Sequence, residues 1–136
     1  AYGTQLHKLV EDYNLTNAVV FAGGMPYEAV VREYQQADVM VNMSATGSMD
    51  KAVLEAMACG LPVVTVNEAF KTLLASWADL LYIPSESPEV LPTRLSQLIA
   101  MPLDKRVGLG AALRKIVVEQ HSMDHLTDQL ITIFEQ

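Results

Sequence analysis

The sequence predicts an α/β fold, a parallel sheet with helices on both faces. Three observations point to it. Short apolar runs, at Ala18–Ala22, Asp38–Met43 and Pro62–Val66, alternate with segments of helical spacing. These runs lack the apolar–polar alternation of a half-solvated strand and read instead as strands covered on both faces. Turn residues punctuate the alternation, as strand–helix units joined by short loops require.

Each element follows from local chemistry. Leu6, Leu9, Val10 and Tyr13 are spaced for one helix face, and Asn14–Asn17 reads as a turn. The Ala18–Ala22 run ends at Gly23-Gly24 and reads as a buried strand. Pro26 suits the first turn of a helix running to about Gln36. Asp38–Met43 is the second strand, and Ser44–Asp50 is a polar, flexible loop. Ala52–Cys59 is a helix with Gly60 as its stop and Pro62 just beyond. Val63–Val66 is β-branched throughout and is the third strand. A helical stretch around Ala69–Trp77 and a short strand at Leu80–Ile83 follow, and three helices close the chain, at about Glu89–Ala100, Asp104–Gln120 and Met123–Phe134.

Composition excludes several functions. With 51% hydrophobic and 18% charged residues in 136, the chain can bury a core as one domain and is not disordered. A net charge of −7 argues against nucleic acid, whose binding sites need basic surface. Cys59 is the single cysteine, so no internal disulfide can form, which fits a cytoplasmic location. No apolar run approaches the roughly 20 residues of a membrane span. His7, His121 and His125 show no metal-site spacing, and neither a metal nor a cofactor is expected.

In a parallel sheet, ligands bind beyond the carboxyl ends of the strands. Two loops of unusual content leave such ends, Gly23–Tyr27 and Ser44–Lys51. The second is small, hydroxylated and opens a helix, whose first N–H groups suit a phosphate. Ser48 or Asp50 could equally be an ordinary N-cap. Glu55 stands in the otherwise apolar Val53-Leu54-Glu55-Ala56-Met57-Ala58. It lies either on the solvated stripe of its helix or against a polar partner, because burying a bare carboxylate is costly. A ribose diol would serve as that partner.

Three blocks then stand in register: Val19-x-Phe21-x-Gly23, Ala37-Asp38-Val39-x-Val41-x-x-Ser44, and Leu54-Glu55-Ala56-Met57-Ala58-x-Gly60-x-Pro62-Val63-Val64. In order and spacing they resemble the C-terminal domain of the retaining GT-B glycosyltransferases of family 4. The resemblance spans about Ala18 to Val66, and the last block is its most specific part. It implies a Rossmann-like half of a GT-B fold that binds a nucleoside-diphosphate sugar as donor substrate. Glu55 matches the glutamate that holds the ribose hydroxyls. Gly24 and Met25 match the loop whose backbone contacts the base. Gly47, Ser48, Asp50, Lys51, Ala52 and Val53 match the loop and helix start that face the diphosphate and the sugar.

Two departures bear on activity. Gly47 occupies the position where the family carries a second glutamate near the donor sugar, and Asp50 with Lys51 is the expected catalytic substitute. For that pair the plain alternative is a capping aspartate and a solvated lysine. The family domain also begins with two strand–helix units carrying an Arg and a Lys for the leaving diphosphate, and it follows an acceptor-binding domain. The sequence starts after both, so residues 1–136 are expected to be the donor-binding part alone. That part would be inactive in isolation, marginally stable or self-associating, and dependent on the missing N-terminal domain as partner. The acceptor stays open (glycan, lipid or small molecule), with a membrane-linked one placing the parent protein at the inner face of the membrane. The alternatives are a non-catalytic nucleotide-binding module and a sugar-nucleotide epimerase of the same fold.

Overall fold

The computed structural model describes residues 2–135. Ala1, read as the lead into the first helical segment, lies outside them. The element order is α1 (Tyr2–Asp12), α2 (Tyr27–Gln36), β1 (Met40–Asn42), α3 (Lys51–Ala58), β2 (Val63–Thr65), α4 (Ala78–Leu81), α5 (Leu91–Ala100), α6 (Leu103–His121) and α7 (Met123–Phe134), with single 3₁₀ turns at Glu68–Phe70, Ala75–Trp77 and Pro88–Val90.

β1 and β2 pair in parallel, with Met40 opposite Val63, Val41 opposite Val64 and Asn42 opposite Thr65. A single parallel bridge from Thr65 to Tyr82 extends the sheet beyond β2. β2 is therefore central and wholly buried, whereas β1 forms an edge where Val41 stays 40% exposed. Successive strand residues point to opposite faces. Val41 shares a groove with Leu95 and Ile99 of α5, while Asn42 bonds to Asp50 at the head of α3. Helices thus cover both faces, as the sequence predicts.

The core gathers around β2, where Val53 and Met57 of α3 meet Val63, Phe70, Leu98 and Leu113. α3 ends where glycine was expected to stop it. Gly60 takes φ +77, its N–H donates to the Met57 carbonyl over 2.9 Å, and Leu61 N–H donates to the Ala56 carbonyl over 3.0 Å. That pair of bonds satisfies the last carbonyls of a helix through a left-handed residue, which glycine adopts without a Cβ penalty. Asn14, at φ 55, similarly makes the expected turn after α1.

Three expectations fail. Ala18–Ala22 is not a strand but irregular chain, with Val20 89% exposed and Phe21 stacked against His7 at a centroid distance of 3.9 Å. An apolar run becomes a strand only where a neighbouring backbone completes its hydrogen bonds, and β1 pairs only with β2 among the described residues. Leu80–Ile83 is likewise mostly the end of α4, keeping one bridge at Tyr82 and the Ile83 N–H bond to the Thr65 carbonyl at 2.9 Å. The stretch around Ala69–Trp77 is two 3₁₀ turns rather than one helix.

α1 and α7 bury none of their residues. The accessible surface, 9319 Å² for 14.9 kDa, exceeds the roughly 7000 Å² of a compact monomer of that mass. Among the described residues no helix is long and apolar enough to cross a membrane.

Candidate functional site

Strand register builds the site. Asn42 and Thr65 are cross-strand partners at the last positions of β1 and β2, so their side chains rise together on one face. The Thr65 hydroxyl donates to Asn42 Oδ1 over 2.9 Å. Asn42 Nδ2 then donates to Asp50 Oδ2 over 3.0 Å. Thr65 Oγ1 also accepts from the Asn67 N–H at 3.0 Å. The Asn67 side chain is used at both ends: Nδ2 donates to the Ser48 carbonyl at 2.9 Å, and Oδ1 accepts from the Ala69 N–H at 3.1 Å. Thr65 and Asn67 are fully buried and Asn42 is 9% exposed. Polar groups buried to this degree need such partners, and here they have them.

This chain of bonds ties the Ser44–Asp50 loop to the strand ends at two points, Ser48 and Asp50. Just ahead of the Ser48 anchor the loop turns through Gly47 at φ +71, a left-handed conformation in which a glutamate would be strained. The hydroxyls of Thr46 and Ser48 lie 3.3 Å apart on the exposed side. Asp50 occupies the N-cap position of α3, yet its side chain makes no capping bond because the carboxylate is turned to Asn42. Among the described residues no backbone carbonyl accepts from the N–H groups of Lys51 or Ala52. The helix start therefore presents free donors and a partial positive charge. Val53 is fully buried and its N–H donates to the Asp50 carbonyl at 3.1 Å, so it supports the helix start from beneath. Lys51 is exposed.

Glu55 is half-buried on α3, in the neighbourhood of Tyr34 on α2. Burial first, then the Glu55 carboxylate, then Cys59, Asp50 and Tyr27, push the Tyr34 phenol above its ordinary value. Glu55 stands one turn along α3 from Lys51, and Asp50 stands at the N-cap of the same helix. Gly24 is exposed and Met25 half-buried, immediately ahead of Pro26 and α2, and α2 packs on α3. The loop is thus held at the start of α3, the helix that carries Glu55, whereas no described contact joins Gly24 or Met25 to either.

Several clefts surround this region, among them the groove of about 580 Å³ beside Val41, Leu95 and Ile99. One of about 240 Å³ opens at the amino ends of the strands, between Tyr34, Asp38, Cys59, Pro62 and Arg106, where Arg106 pairs with Asp38 at 2.9 Å. Another, about 400 Å³, adjoins the loop at Met49 and reaches Leu73, Ile116 and His121.

Sequence reading missed Asn42, Thr65, Asn67 and Tyr34. A signal existed for two of them: an asparagine inside an apolar strand run, and another directly after a strand, are polar residues at positions that packing alone does not explain.

Comparison with known proteins agrees with the resemblance. The family model described as glycosyl transferases group 1 matches residues 1–116. A D-inositol 3-phosphate glycosyltransferase of Corynebacterium urealyticum is 28% identical over 130 residues, 95% of this chain and 30% of that protein. A putative colanic acid biosynthesis glycosyltransferase, WcaL, of Salmonella typhimurium is 25% identical over 138 residues, 96% of this chain and 34% of that protein. A second D-inositol 3-phosphate glycosyltransferase, of Acidothermus cellulolyticus, is 38% identical over 63 residues, 46% of this chain and 14% of that protein. The chain spans about a third of the length of the first two relatives. No solved structure matches it. With the matched model extending over most of the sequence and its α/β fold carrying a parallel sheet, the chain belongs to the glycosyl transferases group 1 family and is a Rossmann-like part of a GT-B fold.

Proposed function

We propose that residues 1–136 are the donor-binding part of a retaining glycosyltransferase that uses a nucleoside-diphosphate sugar. The observation that carries this reading is the free amino end of α3 beyond the carboxyl ends of β1 and β2, with Asp50 at its N-cap and Glu55 one turn along the same helix. The N–H groups of Lys51 and Ala52, with the small loop residues Gly47 and Ser48, suit the diphosphate. Glu55 suits the ribose, because one carboxylate can accept from two adjacent hydroxyls. Gly24 and Met25 border the base from the loop ahead of α2. Asp50 and Lys51 lie toward the donor sugar and act as the catalytic pair, stabilising an oxocarbenium-like transition state and the departing diphosphate by positioned charge. No cofactor is required beyond the donor itself. The parent protein adds an acceptor-binding domain and works in the cytoplasm, on a glycan, lipid or small-molecule acceptor. The relatives named above, glycosyltransferases by name, support this class of reaction and leave the acceptor open.

One observation favours a second reading, a module that holds the nucleotide without transfer. The loop carries Gly47 in a left-handed conformation where the family's glutamate would stand. Isothermal titration separates the possibilities. On the first reading, uridine, guanosine or adenosine diphosphate binds the chain, and the parent protein turns over the corresponding sugar donor. Binding without turnover by the parent protein supports the second reading, and absence of binding contradicts both.

A further inference from the structure

Resting on the reading of this edge as the donor site, we infer that Thr65, acting through Asn42 and Asn67, is a positioning residue for the Gly47–Lys51 loop. Thr65 is fully buried and cannot touch a ligand. Its hydroxyl is nevertheless the node from which both loop anchors hang. Its one hydrogen goes to Asn42 Oδ1, so the Asn42 amide must turn Nδ2 toward Asp50. The opposite orientation would set an oxygen against the Asp50 carboxylate. Its lone pair takes the Asn67 N–H, which holds that side chain where Nδ2 reaches the Ser48 carbonyl. The polarity of the whole relay is set by one hydroxyl on the central strand.

The consequence is preorganisation. Asp50 Oδ2 is occupied by Asn42, leaving Oδ1 without a described partner. Ser48 is pinned two residues earlier, so the segment between the anchors has few conformations left. The free N–H groups at the start of α3 and the Asp50 carboxylate are thereby presented in one arrangement before any ligand arrives. Sites held in this manner bind without the entropy cost of ordering a loop.

Thr65→Val and Thr65→Ser test the assignment. Valine keeps the shape and the β-branch but removes the hydroxyl, whereas serine restores it. Backbone order parameters from NMR relaxation report loop rigidity without a ligand, and titration with uridine diphosphate and guanosine diphosphate reports its use. In Thr65→Val, order parameters over residues 46–50 are expected to fall below about 0.6, while those of Val41 and Val64 stay near the rigid value of about 0.85. Nucleotide affinity falls about tenfold, because a loosened loop must be ordered on binding. Thr65→Ser restores both. Should Thr65→Val fail to fold, Asn42→Ala, at the edge strand, is read in the same way for Asp50. A folded variant with an unchanged loop and unchanged affinity overturns the assignment. If the wild-type protein binds neither nucleotide, the donor-site reading fails, and the order parameters alone still decide whether Thr65 positions the loop.

Discussion

Gly60 and Gly110 meet backbone to backbone: a Cβ placed on Gly110 would come within 2.9 Å of the Gly60 carbonyl carbon and nearer still to its oxygen. α6 crosses the end of α3 at this point, and the Arg114 side chain, one turn further on, donates to the Ala58 carbonyl. A cation on the last carbonyls of a helix complements its dipole. The helix that carries Glu55 and begins at the candidate site is therefore seated from its far end by a glycine contact.

Gly110→Ala is expected to be destabilising, because the atoms its Cβ would meet belong to the Gly60 backbone and cannot rotate away. Overpacking of this sort costs about 1–3 kcal/mol, which lowers the melting temperature by about 4–15 °C in a domain this size. Gly108→Ala is the control. It stands on the same helix with open space around it and should melt at or slightly above the wild-type temperature. Equal melting of Gly110→Ala and wild type would mean that the two backbones do not meet in this way.

Tyr34 gives a test of the packing of α2 on α3 that needs no ligand. Its phenol is raised above 10.0 by burial and by Glu55, with Cys59, Asp50 and Tyr27 contributing. A raised folded-state value means a stabilising contribution that is complete below the unfolded value of about 10 and is lost as pH rises through the folded one. Glu55→Gln should move the Tyr34 titration, followed by ultraviolet absorbance of the phenolate, back toward its ordinary value. Tyr34→Phe should flatten the alkaline fall of the melting temperature. A Tyr34 titration indifferent to Glu55→Gln would separate the two side chains.

Asp50→Asn isolates the charge of the proposed catalytic residue. The amide keeps an oxygen able to accept from Asn42, so the loop stays in place while the carboxylate is lost. In the parent protein, turnover is expected to fall about 10²–10³-fold, the scale of removing one positioned electrostatic group, with a smaller change in donor affinity. Steady-state kinetics with the sugar donor read the two separately. Unchanged turnover would leave Asp50 as a loop anchor only.

Apolar surface predicts behaviour in solution. Val20 is 89% exposed, Phe134 84% and Met123 75%, and β1 leaves an open strand edge. Open strand edges and exposed apolar surface promote association. The 136 residues on their own are expected to associate as concentration rises, and Val20→Ser combined with Phe134→Ser should reduce it. Light scattering measures this directly. A monomer at every concentration, with a sharp melt at high temperature, would contradict the expectation.

Much of this was legible in the sequence where one residue type has one dominant reason to be present. Gly60 after an apolar helix, Pro62 beyond it and the β-branched Val63–Val66 run marked α3 and β2 to within a residue or two. Ala18–Ala22 misled because apolarity reports burial and not the presence of a pairing partner. The relay was not legible because it depends on register: Asn42 and Thr65 are 23 positions apart and become neighbours only once β1 and β2 pair. Within a β-branched strand, Thr65 looked like one more Val. Glu55 stood out because a carboxylate among apolar residues requires an explanation wherever the helix is placed.

The central claim is that Glu55 holds a ribose, and a nucleotide lacking the 2′-hydroxyl tests it most directly. Isothermal titration would compare a nucleoside diphosphate with its 2′-deoxy analogue, in the wild-type protein and in Glu55→Gln. A charge-assisted hydrogen bond is worth about 1.5–3 kcal/mol, so either change alone should weaken binding about tenfold to a hundredfold. Applied together they should cost less than the sum of the two, because both act on the bond between Glu55 and the 2′-hydroxyl. If Glu55→Gln binds the nucleotide as the wild type does, or discriminates against the deoxy analogue as strongly, Glu55 does not hold the ribose.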